Sequence, residues 1–184
     1  DDTEPAVPAT TDPWKIPDIG PQIDRVIIEY CADKSSLMGL MAPPDCLVIR
    51  LTANTDMTTK ESRKWVLDII KSIPERCKLL LWSSIPCTGG SPWQRVNAQR
   101  FPNIHTAKRD VQFKVMRELF TNFKHLAKAV ANRNGHIAHE WPERNQYWTE
   151  PIVIDFFKKG VKRLENKDYQ PFEDIRFNGC MFGL

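Results

Sequence analysis

The sequence predicts an α/β domain whose mostly parallel sheet is covered by helices on both faces. Three observations carry this expectation. Short apolar runs such as Arg25–Cys31 and Cys46–Thr52 lack the alternation of a half-exposed strand, so each needs cover from two sides. Stretches with apolar residues at three- and four-residue steps, the helical period, separate these runs. Strands joined through helices pair in parallel by right-handed crossovers.

The elements follow in order. Asp1 to Pro21 holds five prolines and few apolar residues, the composition of an extended segment that cannot order itself. Residues 1–22 therefore read as an arm and 23–184 as a single domain, with Trp14 and Ile16 anchoring the arm on the domain or on a protein partner. Arg25–Cys31 is the first strand, and Ala32 to Leu40 a polar turn and short helix. Cys46–Thr52 is the second strand, followed by a polar loop to Thr58. A helix runs from Thr59, its N-cap, to Ile73, with Pro74 as its stop and Trp65, Ile69 and Ile70 on its apolar side. Lys78–Ser84 is the third strand. The longest helix spans Thr106 to Asn132, where Val111, Val115, Leu119, Phe123, Leu126 and Val130 recur at helical spacing and Phe113 and Phe120 widen the stripe. Asn134-Gly135 ends it. His136 to Trp141 reads as a fourth strand stopped by Pro142, Glu150 to Lys159 as a helix, and Asp174–Cys180 as a last strand.

Composition narrows the function only a little. The formal charge is +3, which permits an anionic partner without requiring one. The five cysteines show no Cys-x-x-Cys spacing, which argues against a disulfide framework and for an intracellular, reducing compartment, nuclear or cytoplasmic. His136 and His139 have no companions at zinc-site spacing, so no metal is expected. No apolar run is long enough for a membrane span. The chain starts without Met and stops at Met181-Phe182-Gly183-Leu184, which points to a piece of a longer polypeptide.

Two strand ends carry chemistry. The third strand runs into Ile85-Pro86-Cys87-Thr88-Gly89-Gly90, a thiol in a glycine loop where substrate and backbone can approach closely. The fourth ends in Glu140 beside Trp141, and a carboxylic acid against an apolar ring can hold a proton. A Cys and a Glu at the same edge of adjacent strands make a nucleophile and an acid facing one pocket; the plainer alternatives are a buried thiol and a surface carboxylate paired with Arg95 or Arg144. Trp93, Trp141, Tyr147 and Trp148 near Arg95, Arg100 and Arg144 suggest a face on which bases stack. A thiol hydrolase would need His105 or His139 beside Cys87.

In these residues the chain resembles the S-adenosylmethionine-dependent methyltransferases of the DNA cytosine-C5 type, in the form found in mobile-element polyproteins. Ile28 to Leu37 sits where that family has its first motif, Pro86-Cys87 matches its nucleophile motif, and His139-Glu140-Trp141 falls where it has Glu-Asn-Val. Arg176 echoes a later arginine motif. The resemblance implies a Rossmann-like fold with one strand missing after the second. It implies that Cys87 attacks C6 of a flipped-out cytosine while Glu140 bonds the N3 side. Glu29, Ser35, Ser36, Asp56 and Pro86 would form the cofactor site, and Trp93, Arg95 and Arg100 would touch nucleic acid. The chain departs from the family at Asp33 and Lys34, where glycines stand, and at Arg50, where an acidic ribose ligand is expected. Two readings stay open: a nucleic-acid methyltransferase, and a catalytically inactive methyltransferase-like module for assembly or nucleic-acid binding.

Overall fold

The computed structural model of the chain describes residues 17–100, 102–162 and 169–176. Its centre is a four-stranded, all-parallel sheet in the order β2-β1-β3-β4, formed by β1 (Arg25–Tyr30), β2 (Cys46–Leu51), β3 (Lys78–Ser83) and β4 (His136–His139). Helices α1 (Met38–Met41), α2 (Lys60–Ser72), α3 (Trp93–Arg100), α4 (Pro102–Ala131) and α5 (Pro151–Lys159) flank it. This is the Rossmann-like α/β class. β3 follows α2 with no strand between them, as expected. A two-residue antiparallel ladder pairs β5 (Val161–Lys162) with β6 (Tyr169–Gln170).

Register divides the sheet into two faces. Val26, Leu47 and Leu79 share one face with Ile28, Ile49, Leu81 and Ile137, and then with Tyr30, Leu51, Ser83 and His139. Against it pack Val66, Ile69 and Ile70 of α2 and Phe120, Phe123, Leu126 and Val130 of α4, all buried. Removing this much apolar surface from water is the main force holding the layers together, about 25 cal/mol per Å². Tyr30 is fully buried and satisfies its hydroxyl by donating to the Leu119 carbonyl at 2.7 Å, which ties β1 to the middle of α4. The opposite face carries Ile27, Val48, Leu80 and His136, then Glu29, Arg50, Trp82 and Ala138. It is the more polar of the two near the carboxyl ends of the strands.

Caps define the helix ends. Thr59 accepts from the Ser62 N–H at the start of α2, and Arg133 donates to the Ile70 and Ile73 carbonyls, both at 2.5 Å, at its end. Asn134 lies at φ 54 and hands the chain to Gly135, the expected stop of α4.

The polar turn and short helix expected from Ala32 to Leu40 are present, the helix as Met38–Met41 and the turn held by bonds from Ser35 to Asp33. Other expectations need correcting. Asp174–Arg176 is not strand, and the rest of the proposed last strand, together with Trp14 and Ile16, lies outside the described residues. Within the described end of the expected arm, Ile19 packs on the core and Arg76 donates to the Gly20 carbonyl at 2.9 Å. The long helix begins at Pro102, and α3 precedes it.

Candidate functional site

β1 leads through α1 to β2 on one side, and β2 leads through α2 across to β3 on the other, so the strand order reverses between β1 and β3. The crevice outside the carboxyl ends of these two strands is where open α/β sheets bind ligands. Four segments meet at this edge: Cys31–Ser36 after β1, Thr52–Thr58 after β2, Ser84–Gly90 after β3 and Glu140–Tyr147 after β4. Cys31 turns the chain off β1 at φ 61, a left-handed conformation uncommon for a residue with a side chain, and burial pushes its thiol up to about 12.

Glu29 is buried next to this turn. One carboxylate oxygen accepts from the Ser36 hydroxyl and the other from Arg50 Nε at 3.0 Å. The two terminal nitrogens of Arg50 donate to the Lys34 and Ser36 carbonyls, Nη1 at 3.1 Å and Nη2 at 2.8 Å. The guanidinium thus closes the loop after β1 onto the carboxylate. Ser35 donates its hydroxyl and its N–H to the Asp33 carboxylate at 2.6 and 2.9 Å, and these bonds hold that carboxyl below its usual range. Asp56, at φ 36, accepts from the Thr58 hydroxyl at 2.6 Å and N–H at 3.3 Å and so caps the turn before α2. Of the five cofactor residues expected from sequence, Glu29 and Ser36 meet each other, whereas Ser35 and Asp56 are engaged in their own turns and Pro86 is exposed.

The Cys87 loop is held by the segment after β4. Glu140 continues the β4 ladder by donating its N–H to the Ser83 carbonyl at 3.0 Å, and its carboxylate accepts from Ser84 Oγ at 2.8 Å. The same hydroxyl accepts from the Trp82 indole at 3.1 Å, which aligns Trp82, Ser84 and Glu140. Trp141 donates to the Ile85 carbonyl at 2.6 Å, and Asn145 donates its side-chain amide to the Cys87 carbonyl at 2.8 Å. Cys87 is half-buried and Glu140 half-buried, at the same edge of adjacent strands.

The glycines of this loop have a different reason from the expected one. A β-carbon on Gly89 would collide with the Tyr147 hydroxyl and one on Gly90 with the Asn145 side chain. The space is filled by the chain itself, so these glycines serve close internal packing rather than close approach of a substrate.

Asn145, unremarked in the sequence, and Tyr147, expected on a base-stacking face, are therefore what shapes the Cys87 loop. Their signal was local: the Asn145 side chain accepts from the Tyr147 N–H, an Asx turn.

His139 lies 3.0 Å through Nδ1 from the Ser83 hydroxyl and is ringed by Phe120, Phe123, Trp141, Trp148 and Phe157. Its Nε2 is buried and has no hydrogen-bond partner. Burial pushes its pKa down to about 3, so the ring is neutral at ordinary pH. A hydrolase pairing with Cys87 finds no contact here, and the side chain of His105 lies outside the described ones.

The aromatic face read from the sequence separates into two sets. Tyr147 is fully buried against Trp141, Trp141 meets Trp148 edge-on and Trp148 meets Phe157 edge-on, because their rings complete the apolar layer over α4 and α5. Only Trp93, at the start of α3, is 75 % exposed. Arg100 is exposed at the other end of α3, and the Arg95 side chain lies outside the described ones. Arg176 pairs with Glu143 at 2.9 Å on the surface. Between the Cys87 loop, α3 and α4 lies an open basin of about 220 Å³ whose wall includes Arg109 and Arg144.

No family model, curated protein or solved structure matches the chain. Among the described residues no helix is long and apolar enough to cross a membrane.

Proposed function

We propose that this chain is a methyltransferase-like module that binds single-stranded nucleic acid and no longer carries out methyl transfer. The observation that supports it is the closure of Glu29. Both carboxylate oxygens are taken by Arg50 and Ser36, and the same guanidinium bonds two carbonyls of the loop that would have to cradle S-adenosylmethionine. A cofactor amine would have to displace a buried charged pair before gaining anything. The residues at this edge therefore fit the cofactor poorly. Nucleic-acid binding draws support from the exposed Trp93 next to a basin whose wall carries two arginines, Arg109 and Arg144.

The second reading, an active cytosine-C5 enzyme, is favoured by the shared edge of Cys87 and Glu140. Calorimetric titration with S-adenosylmethionine separates the two. We expect no saturable heat and no methyl transfer to cytosine-containing strands, with salt-dependent binding of a labelled single-stranded oligonucleotide that survives Cys87→Ser and Glu140→Gln. Saturable cofactor binding, or methyl transfer abolished by Cys87→Ser, would establish the enzyme instead.

A further inference from the structure

We propose that the basin beside the Cys87 loop is a binding site for a phosphoryl oxyanion. Among the described residues its wall is built from Gly90, Ser91, Gln94, Arg109, Arg144 and Gln146, together with Pro92 and Ala98, and none of these is a carboxylate. The two ionisable groups that face it among the described residues are guanidiniums.

Arg109 is set in place before any ligand arrives. Its guanidinium lies 4.7 Å over the Phe113 ring and donates to the Gln146 amide oxygen at 2.9 Å. Phe113 is itself buried and packed edge-on against Tyr147 at 4.8 Å, so the stacking surface is part of the core. One bond to Gln146 leaves most of the five guanidinium donors for an anion. Arg144 is exposed, and among the described residues no carboxylate is paired with it. Its backbone is nevertheless fixed, because its neighbour Asn145 is buried and bonded to the Cys87 carbonyl.

A fixed guanidinium, a second free to swing in and the Ser91 hydroxyl suit an oxyanion that accepts from several directions. Phosphoryl groups meet that need, and arginine is favoured for them because its planar fork gives two parallel bonds. The site extends the nucleic-acid reading and rests on it only in naming a phosphodiester as the source; free phosphate shares the chemistry.

The test is a titration of the full ¹⁵N-labelled chain with inorganic phosphate at constant ionic strength, followed by NMR. Saturable shifts at the Arg109 side chain and at the Ser91 amide are expected, with acetate or chloride giving none. Arg144→Ala should weaken phosphate binding about tenfold or more without changing Tm, since its side chain is exposed. Arg109→Lys, which keeps the charge and loses the fork, should weaken it as well. Absence of saturable shifts, equal shifts with acetate, or unchanged binding in Arg144→Ala overturns the site, and oligonucleotide binding that persists in that case leaves the nucleic-acid reading standing. If phosphate binds and a single-stranded oligonucleotide displaces it, the source is a phosphodiester. If phosphate binds and the oligonucleotide does not compete, the site stands as one for free phosphate and the nucleic-acid assignment of this face falls.

Discussion

Glu29 and Arg50 face each other across the β1–β2 ladder as register partners, with Nε 3.0 Å from the carboxylate of an almost fully buried acid. A charge so placed is tolerated only while its partner stays, because taking a carboxylate out of water unpaired is costly.

Arg50→Met should therefore destabilise the domain strongly. Removing one member of a buried pair costs about 3–5 kcal/mol, and since the Arg50 side chain is 28 % exposed we expect the low end, about 3 kcal/mol. Urea denaturation measures it. Glu29→Gln combined with Arg50→Met should recover much of the loss, and equal stability of the single and double variants would show that the pair carries no such coupling.

The parallel sheet was legible in the sequence because its signal is local: unbroken apolar runs at 25–30, 46–51 and 78–83 separated by helical periods. The pairing of Glu29 with Arg50 was not, since 21 positions separate them and only the register puts them side by side. α3 was missed because Trp-Gln-Arg-Val-Asn-Ala-Gln-Arg has no apolar stripe; its Trp93 and Val96 are exposed. The Gly89-Gly90 pair was visible, but its purpose depended on Tyr147 and Asn145, more than 50 residues away. Cys87 and Glu140 could be placed at one edge from strand order alone, whereas the Ser84 hydroxyl that engages Glu140 could not.

His139 predicts an acid sensitivity with a defined window. Its pKa is about 3 in the folded chain and about 6.5 unfolded, so below pH 6.5 the unfolded state takes up a proton that the folded state refuses. Stability is complete above 6.5 and declines as pH falls toward 3. Between pH 7 and 5 the loss should be about 2 kcal/mol at 1.36 kcal/mol per unit, before most carboxylates protonate. His125, lowered first by burial and then by Arg63, contributes in the same direction. In His139→Asn, which can still reach Ser83, the slope over this range should flatten; an unchanged slope would assign the sensitivity elsewhere.

The glycine loop predicts a repairable clash. Gly89→Ala sets a methyl group against the Tyr147 hydroxyl and 2.7 Å from the Gln112 β-carbon, and overpacking of this kind costs about 1–3 kcal/mol. Thermal unfolding should show a lowered Tm. Tyr147→Phe removes the nearest colliding atom, so Gly89→Ala with Tyr147→Phe should cost less than the two changes separately. Strict additivity would mean that the loop moves away from α4 instead of meeting the ring.

Trp93 offers the cleanest separation of binding from folding. With 75 % of its surface exposed it adds little to the core, so Trp93→Ala should leave Tm within the small change typical of surface substitutions. If bases stack on it beside the arginine basin, the same change should weaken a single-stranded oligonucleotide by about 1–3 kcal/mol, while Trp93→Phe, which keeps a ring, should retain most of the affinity. Fluorescence anisotropy at two salt concentrations reads both terms, because stacking is largely insensitive to salt and the contacts of Arg109 and Arg144 with phosphate are not. An affinity unchanged in Trp93→Ala would remove the indole from the binding face and leave the basin to act through charge alone.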